Sequence, residues 1–518
     1  MKLNYPRTIF VGFAFFLICT FWQAYDTIIP KILTDKFGMT QAASGIVMAL
    51  DNILALFLLP LFGTLSDRCK SRRGRRTPFI LAGTLVACAA LVCLSFADNR
   101  QRQNIAAVAA VDDPAGLAVL YEHEYDAPLL TPEGEPFVLS ELFTREEFLA
   151  ITSEIEVDGA MAANPDYTDY VVPARHAYAA ARTQENPAPL LLFMGILFIA
   201  LLAMATFRSP AVALMPDVTV RPLRSKANAV INLMGTAGGI VILGLGMAFG
   251  TGEAKNALMS YTPFFSIVAG VMLLSLIVFL ARVNEPLLVE QMRQESRRCR
   301  IDEDADDAPA GEKRRLSAGE RASLLLILAS VVCWFFGYNA VTSKYSVYAS
   351  KVLGLDYNST LMLANAAAVA AYLPVGVAAS KIGRKKTILC GVAMLCASFA
   401  VAAFLRAESP PLLMNCMFAL AGVGWATINV NSFPMVVELS RGGDVGRYTG
   451  FYYTASMAAQ TATPYLSGLL MDRFGMTALF PYAAAFVALA FLTMLPVRHG
   501  DSRPLPAGGL ESLGGADG

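Results

Sequence analysis

Long, almost continuous apolar stretches alternate with polar segments along the whole chain. A transmembrane helix needs about 20 mostly apolar residues, because its backbone polar groups must be satisfied within the segment. Continuous runs of this kind predict helices, whereas the strands of a membrane barrel alternate apolar and polar positions. Twelve such stretches occur, at residues 8–30, 41–63, 78–97, 188–209, 226–250, 262–284, 322–341, 358–380, 387–405, 411–433, 448–470 and 478–497. We therefore predict an all-α membrane protein with twelve transmembrane helices.

Composition strengthens this prediction. The chain is 55% hydrophobic and 16% charged, whereas soluble globular proteins carry about 25% charged residues. The first apolar stretch, from Ile9 to Pro30, is too long for a signal-peptide core and lacks a small-residue cleavage site, so we interpret it as a span. The nine cysteines fall in predicted spans or cytoplasmic loops and form no CxxC pair. We therefore expect no disulfide framework, metal site or cofactor.

Two polar segments interrupt the pattern. Residues 98–187 hold seventeen acidic and five basic residues. We expect a small folded insert here on the outer side, because Thr144 and Glu147 fit a capping box ahead of an apolar run. Its two histidines, His123 and His176, are too sparse a pair to indicate a metal site. Residues 285–320 are charged throughout, which predicts a cytoplasmic linker with one surface helix.

These interruptions divide the spans six and six. The prediction is an N-terminal bundle (1–97 and 188–284), a C-terminal bundle (321–497) and a disordered tail (498–518). Lys and Arg concentrate in the tails, the linker and the loops that follow even-numbered spans, so both termini are expected in the cytoplasm. Since the formal net charge is zero, the basic clusters indicate topology and no nucleic-acid partner. We expect a monomer in the lipid bilayer of the plasma (inner) membrane.

Two short elements recur at matching places in the predicted halves. The element after the second span begins at Gly63, and its weaker counterpart after the eighth begins at Gly376. An acid and a base are nine residues apart before spans 5 and 11 alike, as Asp217 with Lys226 and Glu438 with Arg447. Such correspondences predict a parallel repeat of two six-helix halves.

These residues could form a charge latch that closes the cytoplasmic side in the outward-facing state and opens in the inward-facing one. The alternative is that the charges only set topology. The candidate latch residues are Gly63, Asp67, Arg68, Gly74, Arg75, Arg76, Asp217, Glu438 and Arg447.

The loop after the second span also carries a resemblance. Its pattern G-x-L-S-D-R…G-R-R is similar to the signature loop of major facilitator transporters. The longer string from Leu65 to Ile80 closely resembles the same loop in plant sucrose transporters and their animal relatives. Residues 209–217 also look like the end of the fourth span in those proteins, which stand beside the glycoside–pentoside–hexuronide cation symporters. The resemblance implies the major facilitator fold, alternating access and a sugar carried with a cation.

Three ionisable residues in predicted spans are candidates for ion coupling: Asp26, Asp51 and Arg208. Charges in hydrocarbon are costly and usually functional. A carboxylate in a cavity of low dielectric constant can take up a proton on one side and release it on the other. Arg208 could then pair with the deprotonated acid. The alternatives are that Asp26 lies near the outer headgroups and that Asp51 makes only a structural hydrogen bond.

The chain departs from the families it resembles. Ala55 and Leu59 stand where melibiose-type relatives carry an acidic pair, which makes a sodium site of that kind doubtful and favours protons. Val212 stands where sucrose transporters carry an arginine, and Arg208 lies one turn away on the same helix face.

Sugar sites combine aromatic platforms with amide or carboxylate hydrogen-bonding groups. Each candidate could instead be an interfacial aromatic or an interhelical hydrogen-bonding residue. The candidates in the predicted spans are Trp22, Gln23, Tyr25, Asn228, Asn232, Trp334, Tyr338, Asn339, Asn365, Trp425 and Asn429.

The favoured function is import of an oligosaccharide or glycoside with a proton, or less favourably sodium. Export of a drug or metabolite is the first alternative, although the glycine-rich fifth span lacks the proline of drug–proton antiporters. A sugar sensor that does not transport is the second. An enzyme is not expected, because no nucleotide loop, metal cluster or nucleophile constellation is present in the sequence.

Overall fold

Long helices dominate the computed structural model of the chain. The described residues are 3–157, 160–219, 224–298, 317–437, 439 and 445–500. The long helices of the N-terminal half are α1 (Tyr5–Lys31), α2 (Gln41–Arg68), α3 (Thr77–Asn104), α8 (Ala188–Asp217), α9 (Arg224–Ala248) and α10 (Thr262–Arg282). Those of the C-terminal half are α12 (Ala318–Tyr348), α13 (Tyr357–Ile382), α14 (Arg384–Ala402), α15 (Pro411–Val437), α16 (Val445–Phe474) and α17 (Leu479–Met494).

Each predicted apolar stretch coincides with one of these helices. Within the described ranges, ten helices are long and apolar enough to cross a membrane. Helices α13 and α16, which contain residues outside the described set, are not among these ten. The all-helical membrane fold is therefore confirmed, whereas the count of twelve spans and the cytoplasmic location of the termini stay predictions.

Helix boundaries follow local sequence signals. The Asn4 and Thr40 side chains accept hydrogen bonds from the first-turn N–H groups of α1 and α2. Ser317 and Glu320 form a complete capping box at the start of α12. These side chains satisfy N–H groups that have no partner within the helix. A tight turn with Gly383 at φ +94° separates α13 from α14.

Buried apolar side chains form a separate cluster in each half. One cluster extends from Val11 to Leu288 and the other from Leu324 to Val497. Each half thus has its own core. The domain boundaries given above stay predictions.

Residues between α3 and α8 form a small folded unit, which we call the insert. Its helices are α4 (Pro114–His123), α5 (Leu139–Leu142), α6 (Arg145–Leu149) and α7 (Val172–Glu185). Strands β1 (Leu129–Leu130) and β2 (Pro136–Phe137) pair antiparallel, as do β3 (Glu154–Val157) and β4 (Ala160–Ala163). The insert has its own apolar cluster, which includes Leu120, Phe148 and Tyr178. The capping box of Thr144 and Glu147 is present, as predicted.

The linker also begins as expected, with the surface helix α11 (Glu285–Arg298) directly after α10. Leu288 and Met292 on one face of α11 are buried. Residues 299–316 and 501–518 lie outside the described part of the chain.

The two halves meet at the face that carries the insert, which we call the outer face. Lys351 Nζ lies 2.9 Å from Asp35 Oδ1 across the two halves. Lys344 Nζ donates to the Gln41 carbonyl oxygen at 2.6 Å. The Asp472 carboxylate accepts hydrogen bonds from two N–H groups at the start of α2, each at 2.8 Å. These inter-half contacts hold the two halves together at this face, and we call them the outer gate.

Candidate functional site

A cavity of about 180 Å³ lies between the two halves. Helices α1, α2 and α8 form its N-terminal wall, and α12 and α16 form its C-terminal wall. The lining residues are Trp22, Asp26, Met48, Asp51, Asn52 and Arg208 on one side, and Asn339, Thr342, Ser343, Gln460 and Pro464 on the other. We call this the central cavity.

All three ionisable candidates line the central cavity. Asp26, Asp51 and Arg208 come from three different helices, and each is partly buried. Asn52 Nδ2 donates to Asp51 Oδ1 at 2.9 Å. The Arg208 guanidinium lies 5.3 Å from the centre of the Trp22 ring, in cation–π contact.

The ionisable groups on the N-terminal wall of the central cavity do not balance in charge. Among the described residues that line the central cavity, two carboxylates face one guanidinium. An uncompensated charge in a low-dielectric site is costly, so the site favours either a proton on one acid or a bound cation. The arrangement is therefore suited to coupling to a cation.

The opposite wall is polar and carries no ionisable group among its described lining residues. Two buried donors at the cavity, Asn339 Nδ2 and Trp22 Nε1, have no hydrogen-bond partner within the described part of the chain. Buried polar groups in native proteins usually have partners. Together with the hydroxyls of Thr342 and Ser343 and the amide of Gln460, these donors can receive a ligand rich in oxygen.

Tyr338 and Trp425 form a stacked pair in the C-terminal half. Their ring centres are 3.7 Å apart and the ring planes differ by 2°, and Phe335 meets Trp425 edge-on. The stacking occupies one face of each ring, so at most the opposite face of either ring is available to a substrate.

Two of the predicted substrate residues lie apart from the central cavity. Trp334 is fully buried in the C-terminal core. It lies about 140° around the helix from Asn339, because each residue of an α-helix turns the chain by about 100°. Tyr25 is 2% exposed and packs against Phe21 and Trp22. Neither side chain is among those lining the central cavity.

The remaining candidates are not among the described residues that line the cavity. Gln23 is close to Gly239 of α9, and Asn232 is exposed on α9. Asn365 and Asn429 are half-buried on α13 and α15. Asn228 belongs to α9, and its side chain is outside the described set.

Several lining residues were missed by the sequence reasoning. Gln460 is an amide in a predicted span and satisfied the same criterion as the asparagines that were chosen. Thr342 and Ser343 follow Asn339 by one helical turn, so they share its face.

On the face opposite the outer face, four of the predicted latch residues are in contact: Gly63, Arg75, Arg76 and Asp217. Arg76 Nε donates to Asp217 Oδ2 at 2.8 Å, and an Arg75 guanidinium nitrogen lies 3.5 Å from the same oxygen. Arg76 also donates to Ser66 Oγ and, at 3.5 Å, to the Gly63 carbonyl oxygen. These partners all belong to the N-terminal half.

A further acid, Glu285, anchors the same loop. Its carboxylate accepts hydrogen bonds from the N–H groups of Arg75, Arg76 and Thr77 at 2.6–3.0 Å and from Thr77 Oγ1 at 2.8 Å. It thus caps the start of α3, where the helix dipole favours a negative charge. Gly74 has φ +107° and touches the Glu285 side chain, so a Cβ there would collide. From the sequence alone, Glu285 is one of many charged residues in the linker. It belongs to neither of the two elements that recur in the halves, so nothing singled it out.

For the other latch candidates, the structure describes no contact that would form a latch. Arg68 is exposed at the end of α2. The side chains of Asp67 and Arg447 and the whole of Glu438 lie outside the described residues. In the second half, Lys385 Nζ donates to the carbonyl oxygens of Leu495 and Val497 at 2.7 Å. There a base, rather than an acid, ties the first turn of α14 to the residues that follow α17.

Comparison with known proteins agrees with this architecture. The sequence model of the Major Facilitator Superfamily matches residues 11–111, 177–372 and 359–513. The inward-open structure of the xylose transporter XylE from E. coli covers 98% of this chain and 100% of its own, with a TM-score of 0.59 and 13% identity. A D-xylose–proton symporter structure gives a TM-score of 0.57 at 14% identity, covering 96% and 99% of the two chains. At these identities the likeness concerns the fold alone.

Sequence relatives match over shorter stretches. The sucrose transport protein SUT4 of rice (Oryza sativa subsp. indica) is 37% identical over 67 residues, which are 13% of this chain and 11% of that protein. The MFS-type transporter ppzB of Metarhizium rileyi is 28% identical over 117 residues, 23% of this chain and 24% of that protein. The chain thus spans only about a ninth of the length of the rice protein.

Proposed function

The chain belongs to the Major Facilitator Superfamily, and from this premise we propose that it imports a sugar, an oligosaccharide or glycoside, together with a proton. It is a multi-pass integral membrane transporter and not an enzyme. The plasma membrane is its proposed location. The single observation that carries the proposal is the central cavity, which sets a wall with two acids and an arginine against a wall of amides and hydroxyls.

The uncharged wall suits a polyhydroxyl substrate. Asn339 and Gln460 offer amide donors and acceptors, and Thr342 and Ser343 offer hydroxyls. The unpartnered donors Asn339 Nδ2 and Trp22 Nε1 would bind hydroxyl oxygens of the substrate. The local match to sucrose transport proteins of rice supports a sugar as the substrate class.

The charged wall supports coupling to protons. With both acids ionised, Arg208 can neutralise only one of them, so a proton is favoured on Asp26 or Asp51 when the cavity is occluded. Proton release to the cytoplasm then leaves a carboxylate free to pair with Arg208. Because that pairing draws α8 toward α1 or α2, it would bias the return of the empty carrier to the outward-facing state.

Uptake in proteoliposomes tests the proposal. We expect a labelled sugar from a panel of mono-, di- and oligosaccharides to accumulate under an inward proton gradient, and a protonophore to collapse the accumulation. Asp51→Asn should abolish accumulation, because a neutral amide cannot carry the proton. Glu141→Gln, which changes an exposed acid of the insert, should accumulate sugar normally.

Three outcomes would contradict the proposal. Accumulation driven by sodium and indifferent to pH excludes proton coupling. Proton-driven efflux of a non-sugar solute identifies an exporter. Saturable sugar binding without flux in the wild-type protein identifies a sensor.

A further inference from the structure

The insert is fastened to the N-terminal half over a broad surface. It is covalently joined to α3 and α8. Gln101 Nε2 donates to Thr183 Oγ1 at 2.9 Å, which ties the outer end of α3 to α7. His176 Nε2 lies 3.0 Å from the Met39 carbonyl oxygen. Gly38 sits against the backbone of α7, leaving no room for a Cβ. The insert and the N-terminal half therefore move as one body.

The same insert reaches the C-terminal half at three outer loops. Glu133 Oε1 accepts from Arg406 Nε at 2.6 Å, in the loop after α14. The Pro132 carbonyl oxygen accepts from Met476 N at 2.5 Å, in the loop after α16. Ala163, at the end of β4, lies against Gly354 in the loop after α12. The turn between β1 and β2 is the main point of contact.

These contacts depend on the state of the outer gate. When the outer ends of the halves separate, the insert moves with the N-terminal half and away from Arg406 and Met476. Breaking the contacts therefore accompanies opening to the outside. Any free energy that the contacts contribute stabilises the outside-closed state alone.

The contacts are suited to being made and broken. A cavity of about 280 Å³ lies beneath the turn, lined by the insert, the start of α2 and the end of α16. Beside this cavity, the described contacts of the turn with the C-terminal half are two hydrogen bonds, to Arg406 and Met476, and a close backbone approach of Gly134 to Gly475. The Glu133 and Arg406 side chains are 51% and 41% exposed, so water can replace either partner.

We propose that the insert is an outer clamp, which binds the loops of the C-terminal half through its β1–β2 turn and holds the transporter closed to the outside. It sets how often the outer gate opens. The clamp does not depend on which solute is carried.

A labelling experiment tests the clamp without a substrate. Ser346 on α12 is 2% exposed and lies one helical turn before Ser350, whose hydroxyl accepts a hydrogen bond from Lys31 of the other half. In right-side-out membrane vesicles, the cysteine introduced by Ser346→Cys should react with a membrane-impermeant maleimide only when the gate opens. Adding Glu133→Arg should raise the labelling rate about two- to fivefold, the range expected from losing an exposed ion pair. The wild-type chain gives the background from native cysteines.

Matched variants separate the clamp from a general charge effect. Exchanging the charges in Glu133→Arg with Arg406→Glu should return the labelling rate to that of the Ser346→Cys reference. Glu141→Arg makes the same charge change at an exposed insert position on α5 and should leave the rate unchanged. The proposal would be overturned if Glu133→Arg left the labelling rate unchanged, or if Glu141→Arg raised the labelling rate by the same factor.

A disulfide across the clamp provides the opposite perturbation. Pro132→Cys with Met476→Cys places two thiols where the backbones already touch. Oxidation should suppress labelling at position 346, and reduction should restore it. A disulfide that forms without changing the labelling would show that the insert does not control the gate. Because no sugar enters these measurements, their failure is distinct from failure of the proposed symport.

Discussion

Glu285 explains the geometry of the loop between α2 and α3. Its buried carboxylate gathers the N–H groups that begin α3, and Gly74 makes room for it with a positive φ. The neighbouring pair of Arg76 with Asp217 ties the same loop to the end of α8. The loop is thus held by two acids from different helices.

Replacing this carboxylate should destabilise the protein. Glu285→Gln keeps the shape but replaces an acceptor oxygen by an NH₂ group that faces backbone donors. We expect a loss of about 1–3 kcal/mol, typical of an unsatisfied buried group. The thermal unfolding midpoint in detergent measures it. The matched control is Glu290→Gln, an exposed acid on the same helix, and equal midpoints for the two variants would refute the role of Glu285.

Selection by residue type gave three ionisable residues that share the central cavity and two aromatic residues that do not line it. Asp26, Asp51 and Arg208 stood out because charges are rare in spans, and all three line the central cavity. Trp334 and Tyr25 were chosen by type, yet both are buried within their own halves. A span is apolar toward lipid and toward its neighbours alike, so its sequence does not reveal which face lines a cavity.

At the scale of elements, α2 and α16 seal the outer gate through small residues. Gly45 lies against the backbone of Pro464, and Gly468 lies against the backbone of Gln41. A Cβ at either glycine would overlap the facing helix. Close packing of this kind needs glycine on each helix at the crossing point.

A larger side chain should therefore prevent closure. In the Ser346→Cys background, Gly45→Leu should raise labelling from the outside severalfold, because α2 and α16 can no longer approach. Gly195→Leu is the matched control, since a Cβ at that exposed position on α8 meets nothing within 4 Å. Labelling of the Gly45 variant at the control rate would contradict the close-packing account of the gate.

At the scale of the molecule, the long helices were predictable and the insert was predictable only in part. Apolar runs of span length marked each long helix, and Thr144 with Glu147 marked α6. The two short hairpins were not foreseen, because strands of two to four residues carry no pattern of their own. The contact of the insert with the far half depends on tertiary placement, which no local sequence signal encodes.

The closed outer gate, the central cavity and the clamp together describe one state of an alternating-access cycle. Among the described residues, the two halves meet at the outer face, where Asp35 contacts Lys351 and Lys344 contacts Gln41. The central claim is that a proton crosses with the sugar when this state exchanges with the outward-facing one.

Proton movement that depends on sugar is the most direct test. Proteoliposomes are loaded with a pH-sensitive dye, and sugar is added outside with no initial pH gradient. The account predicts acidification of the lumen that begins with the sugar, saturates with its concentration and disappears in Asp51→Asn. Sugar uptake of normal rate with no change in lumenal pH would contradict it.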